Sequence, residues 1–118
     1  MDDLLSLNVD LADGFTYIHA AGELDRSNAD RFERRLDQLV RTAIPRILDL
    51  SELTYVDSAG LRAISLSAQR APMRLVIPET ARIRRTVAIS GIGELVAIFG
   101  SVVEAEQGAT PPGSSRPS

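Results

Sequence analysis

Residues 46–70 read RILDLSELTYVDSAGLRAISLSAQR, and a change of rhythm inside this stretch decides the fold. Pro45 ends whatever precedes it, and the run Arg46–Leu50 is apolar enough for a buried strand. Tyr55-Val56 then leads into Asp57-Ser58-Ala59-Gly60, after which Leu61, Ile64 and Ala68 recur at helical spacing as far as Arg70. A strand that feeds a helix starting near Ser58 is half of a βαβ unit.

The flanks extend the pattern. Leu5, Leu7 and Val9 alternate with polar neighbours, Asp13-Gly14 signals a turn, and Phe15–Ala21 is rich enough in aromatic and β-branched residues to form a second strand, which together predict a hairpin. From Asn28 to Arg41, Ala29, Phe32, Leu36, Leu39 and Val40 form one helical stripe, with Ser27 or Asp25 as its cap. Beyond Arg70, Met73–Ile77 is a strand ended by Pro78. Thr80 is placed to cap a third helix with Ile83 and Val87 inward and Gly91 just past its end, and Leu95–Phe99 is a last strand. Strands alternating with amphipathic helices give an α/β (or α+β) class with one open, largely parallel sheet. Apolar patterning runs without a linker over residues 4–106, one domain. Residues 107–118, with three prolines and no large apolar side chain, read as a disordered tail.

Composition narrows the function classes. In 118 residues there is no cysteine, so disulfides, thiolate metal sites and thiol catalysis are excluded. The net charge of −3 argues against binding that rests on phosphate neutralisation, so no direct nucleic-acid contact is expected, and all 13 basic residues are arginine. Met1-Asp2-Asp3 shows no basic segment before an apolar run, and no apolar stretch approaches the roughly 18 residues of a spanning helix. The chain reads as cytoplasmic, without membrane insertion.

The usual inventory of catalytic groups is nearly empty, and no enzyme activity or cofactor is expected. His19, the only histidine, falls inside a strand where a ligand or base needs a partner not visible in the sequence, so it is read as a surface or packed residue. Gly91-Ile92-Gly93 lacks the third glycine of a dinucleotide fingerprint and follows a helix, so it is a C-cap. A metal-assisted carboxylate site drawn from Asp25, Asp49 and Asp57 is not forbidden by spacing, but Asp49 has apolar strand neighbours and Asp57 is accounted for as a cap.

Ser58 resists so plain a reading. At the mouth of a helix its hydroxyl lies where four backbone N–H groups lack partners, a place that favours negative charge. Capping by Asp57 or Ser58 explains the local sequence, with Gly60 allowing close approach of the turn to the sheet. A phosphoacceptor at Ser58 is compatible with that, since a phosphate adds about −1.5 to −2 charge at a helix end that tolerates it, while a docked partner surface does not.

Gly22-Glu23-Leu24-Asp25, then Leu48-Asp49-Leu50 with Val56-Asp57-Ser58-Ala59-Gly60-Leu61, then Ile89-Ser90-Gly91-Ile92 with Val96-Ala97-Ile98-Phe99, resemble in order and spacing the STAS domain family, and in particular its stand-alone bacterial anti-sigma factor antagonists (anti-anti-sigma factors). The resemblance covers Leu4 to Glu106. It implies a mixed, mostly parallel sheet of about five strands with helices chiefly on one face, and a partner-switching role in transcription regulation. The unphosphorylated antagonist binds an anti-sigma factor that is also a serine kinase of histidine-kinase-like ATPase fold. Phosphorylation by that kinase releases the antagonist, and a serine phosphatase resets it.

On this resemblance Ser58 matches the phosphoacceptor, and Asp57 and Asp25 match aspartates of the same surface. Gly22, Glu23, Asp25, Asp57, Ala59, Gly60, Leu61 and Arg62 make the partner face. Two positions depart from the family pattern. Ala59 stands where many antagonists carry Ser or Thr, leaving Ser58 as the one hydroxyl of the motif. Arg62 stands where many carry Gly, and its guanidinium either pairs with a phosphate, blocks close approach, or is simply exposed. The alternative function is a STAS module that does not switch, either a scaffold in a stress-signalling assembly or an accessory subunit of a lipid-transport ATPase.

Overall fold

The computed structural model describes residues 4–108, and the tail expected from residue 109 onward lies outside the described residues. Five strands, β1 (Leu5–Leu11), β2 (Thr16–Leu24), β3 (Arg46–Val56), β4 (Met73–Val76) and β5 (Ala97–Phe99), form one sheet in sequential order. β1 and β2 are antiparallel, and every later pair is parallel. Among the described residues there are four α-helices, α1 (Ala29–Gln38), α2 (Ser58–Arg70), α3 (Arg84–Ser90) and α4 (Val102–Gln107).

The two faces of the sheet carry different loads. Ile18, Ala20, Leu48, Leu50 and Leu75 point to the side covered by α1, α2 and α3, where Phe32, Leu36, Leu61, Ile64, Ile83 and Val87 close the main core. The alternate residues Ile47, Val76 and Phe99 meet Ala105 of α4 on the other side, in a small second cluster with Phe15, Tyr17 and Val102 packed on it. Leu5, Leu7 and Val9 turn their half-buried side chains to the main core as their alternation predicts. The α/β architecture of about five strands with helices chiefly on one face is thus present, with α4 as the exception.

β3 is six residues longer at its C-terminal end than the expected Arg46–Leu50. The parallel register explains why periodicity concealed this. His19 pairs with Asp49 but Ala21 with Glu52, and Gly22 pairs with Leu53 but Glu23 with Tyr55. Each shift inserts one extra residue into β3, and the first is held by the Asp49 carboxylate accepting from the Ser51 amide at 3.0 Å. The alternation is reset twice, so residues 51–56 do not look like a strand continuing from Leu50.

Other boundaries moved for identifiable reasons. α1 ends at Gln38, so Val40 is exposed rather than part of the buried stripe. Neither Ser27 nor Asp25 caps it. Asn28 occupies the cap position, but its buried side chain is spent elsewhere, accepting from the Asp25 amide and donating to the Glu23 carbonyl, both at 3.0 Å. Thr80 does not cap α3, because residues 78–81 form a turn closed by the Ala81 amide on the Pro78 carbonyl and the helix starts at Arg84. Gly91 does close α3, in the left-handed conformation. Leu95 belongs to the end of a 3₁₀ turn, Ile92–Glu94, rather than to β5. The short α4, which includes Gln107 of the expected tail and is capped by Ser101, was not apparent from periodicity.

Candidate functional site

The loops at the C-terminal ends of the neighbouring parallel strands β2 and β3 lie side by side, and Asp57 joins them. One carboxylate oxygen of Asp57 accepts from the Gly60 amide at 3.0 Å and caps α2; the other accepts from the Arg26 amide at 3.1 Å. The Asp57 amide in turn donates to the Leu24 carbonyl at 3.3 Å. The residue thus bridges the start of one helix and the loop before another.

Two glycines make the close approach possible. Gly22 has φ +103°, and a Cβ there would lie 1.9 Å from the Leu4 carbonyl oxygen, so only glycine fits the point where β2 passes the start of β1. A Cβ on Gly60 would lie 2.7 Å from Cγ of Leu24 and 2.9 Å from Cγ2 of Val56, so α2 rests directly on the ends of β2 and β3.

Ser58 is the first residue of α2 and is exposed, and among the described residues its hydroxyl makes no hydrogen bond. Asp57 has taken the capping duty, which leaves the serine oxygen free. Ser58 opens onto a groove of about 360 Å³ between the first two turns of α2, with Leu61 and Arg62, and the turn after α3, with Ser90, Ile92 and Leu95. Leu95 is 59% exposed at the edge of this groove, beside Ile92. This apolar rim was missing from the residues expected in the site, although Ile89-Ser90-Gly91-Ile92 was singled out as a family motif; nothing in the linear sequence tells that its turn folds beside Ser58.

The other expected residues divide by burial. Gly60 and Leu61 are buried and serve the packing under the surface, whereas Gly22, Glu23, Asp25, Asp57 and Ala59 are half-buried and Arg62 is exposed. Asp25 organises its own loop, accepting from the Ser27 amide at 2.9 Å. His19, read from the sequence as a surface or packed residue whose partners were not visible, has two: Nδ1 lies 3.2 Å from Asp49 and Nε2 2.9 Å from Glu52, both reachable because the bulge at Leu50-Ser51 brings these carboxylates to one face. That cluster lies on the α4 side of the sheet, away from Ser58. Asp25, Asp49 and Asp57 do not converge, and among the described residues no group of three or more potential metal ligands is present.

The STAS domain family model matches residues 6–105. The chain belongs to the STAS domain family. A crystal structure of an anti-sigma factor antagonist from Mycobacterium paratuberculosis superposes on this STAS domain with a TM-score of 0.78 at 19% identity, covering 88% of this chain and 92% of that one. The unphosphorylated form of the anti-sigma factor antagonist SpoIIAA, a Bacillus cell-fate determinant, gives 0.64 at 17% identity over 90% of this chain and 100% of that one. The murine anion transporter Slc26a9 gives 0.66 at 18% identity, with 85% of this chain covering 19% of the transporter. At these identities the likeness is one of fold. No curated protein matches the sequence. Among the described residues no helix of the STAS domain is long and apolar enough to cross a membrane.

Proposed function

We propose that this STAS domain is an anti-sigma factor antagonist, cytoplasmic and without catalysis of its own, that binds an anti-sigma factor serine kinase of histidine-kinase-like ATPase fold while Ser58 is unmodified and is released when Ser58 is phosphorylated. The observation that carries this reading is the exposed, unbonded hydroxyl of Ser58 at the first position of α2, beside a carboxylate already committed to the cap. In the transfer, Ser58 Oγ bonds to the γ-phosphorus of ATP on the kinase, the bond to the β,γ-bridging oxygen breaks, ADP leaves, and the hydroxyl proton passes to a base of the kinase.

The fold tolerates the product and the interface does not. A phosphate at the first turn of a helix meets unpaired amides and the positive end of the dipole. A partner packed over the groove and its Leu95 rim would have to desolvate about two negative charges next to Asp57. Each 1.4 kcal/mol of that penalty weakens binding about tenfold. Freed anti-sigma factor then recaptures its sigma factor, and a serine phosphatase restores the binding form.

The test is incubation of the chain with the purified kinase, ATP and magnesium, followed by intact-mass measurement. A gain of one phosphate that disappears in Ser58→Ala is expected; an unchanged mass, or the same gain in Ser58→Ala, rejects the reading. The second reading is a STAS module that does not switch, either a scaffold in a stress-signalling assembly or an accessory subunit of a lipid-transport ATPase; a like fold within an anion transporter is in keeping with a module that serves a larger assembly. In that case complex formation is indifferent to Ser58→Asp.

A further inference from the structure

Arg62 lies one helical turn beyond Ser58 on α2, exposed, with no hydrogen bond or ion pair among the described residues. Several other arginines of the described residues are committed to fixed partners. Arg41, Arg46, Arg74 and Arg84 donate to backbone carbonyls, and Arg70 pairs with Glu33 and Asp37. Arg62 also lines the same groove as Ser58, and of the residues that line it Arg62 alone is charged.

We infer that Arg62 is the intramolecular partner of phosphorylated Ser58, closing over the phosphate within the groove. The inference rests on Ser58 being the phosphoacceptor and adds what becomes of the charge after transfer. Helix geometry favours the contact. Residues four apart are neighbours on one face, and side chains lean toward the helix N-terminus, so a guanidinium at position 62 is within reach of a phosphate on Ser58 across the groove that both residues line. The groove's volume, about 360 Å³, is roughly twelve times the 30 Å³ or so that a water molecule takes in the liquid, so a phosphate enters without displacing a side chain. A planar guanidinium pairs with two phosphate oxygens at once.

The contact has a regulatory consequence. A free phosphoserine loses its second proton near pH 6, and the neighbouring Asp57 carboxylate pushes that ionisation upward, toward a phosphate that is part monoanionic at neutral pH. Asp57 is turned onto the Gly60 and Arg26 amides, the amides at the start of α2 favour the dianion whatever stands at position 62, and the groove's other wall brings no charged side chain, so Arg62 is the side chain placed to oppose Asp57. With Arg62 more of the modified site carries its second charge at neutral pH, and phosphorylation is a larger change of charge.

The test uses the full chain with phosphoserine installed at position 58 by synthesis, followed by phosphorus NMR as pH is varied, for wild type, Arg62→Ala, Arg62→Gln and Arg62→Lys. The phosphate's second ionisation is expected about 0.2–0.4 of a pH unit higher in the Ala and Gln variants than in wild type, with Lys between. The difference should shrink in about 1 M salt. Equal midpoints in wild type and either neutral variant that retains native circular dichroism overturn the inference. Because the phosphate is installed chemically, this result is independent of the kinase assay, and each can fail without the other.

Discussion

The Arg26 amide donates to Oδ2 of Asp57 at 3.1 Å, so the loop after β2 and the start of α2 move as one piece. Asp57 serves both ends at once, capping α2 through the Gly60 amide with its other oxygen. Asp57→Ala is therefore expected to lower stability by about 1–2 kcal/mol, and hydrogen exchange should speed up at both Arg26 and Gly60. Faster exchange at Gly60 alone would show that the two loops are not tied.

Gly60→Ala tests the seat of α2 on the sheet. Alanine is the better helix former by up to about 1 kcal/mol, yet its methyl would lie 2.7 Å from the buried Leu24 side chain. Overpacking costs about 1–3 kcal/mol, so chemical denaturation should show net destabilisation of roughly 1–2 kcal/mol. A neutral or stabilised variant would mean that Leu24 and Val56 give way.

Arg46 is fully buried and joins two helix ends. Its guanidinium donates to the Leu36 carbonyl of α1 at 3.0 Å and to the carbonyls of Ser67 and Ala71 at the end of α2 at 2.9 and 2.8 Å. The Leu36 and Ser67 carbonyls already accept from the Leu39 and Ala71 amides, so the guanidinium gives each a second bond and ties down the Ala71 carbonyl just past α2. Burial lowers the arginine's pKa and the Asp37 charge opposes that. Arg46→Lys keeps the charge and loses the fork, and about 2–4 kcal/mol of destabilisation is expected from the buried bonds lost. Unchanged denaturation midpoints would contradict this role.

Tyr17 on β2 donates its phenolic hydrogen to the Glu106 carboxylate on α4, and this bond first, then burial and the charges of Glu106 and Asp10, raises the tyrosine's pKa. The folded state therefore holds the proton more tightly than the unfolded chain. The bond's contribution is complete below the ordinary tyrosine value near 10 and is lost as pH rises through the folded value. In an ultraviolet titration of the folded chain, Tyr17→Phe should remove a phenol ionisation that lies above the ordinary tyrosine value. Removal of an ionisation at or below that value would refute the assignment.

The sequence discloses those elements whose pattern is local. The hairpin follows from the alternation of Leu5, Leu7 and Val9 against the Asp13-Gly14 turn, and the start of α2 follows from Asp57 and the Leu61, Ile64, Ala68 spacing. What stayed hidden depends on partners far along the chain. Two bulges in β3 break its alternation, and the first of them delivers Asp49 and Glu52 to His19. Six residues are too few for α4 to show a stripe, and its place is set by Tyr17 and Arg74 reaching it from the sheet. At the site, Ser58, Asp57 and Gly60 were legible because capping and close approach are local events. The Ile92 and Leu95 wall of the groove was not, because it arrives through the packing of Ile83, Val87 and Ile92 on the main core.

The decisive comparison is calorimetric binding of the purified anti-sigma factor kinase to the unmodified chain and to the chain carrying phosphoserine at position 58. The phosphate is expected to weaken binding at least about tenfold, a loss of 1.4 kcal/mol or more, while the melting curve shows the modified chain still folded. Equal affinity of the two forms would contradict the switch.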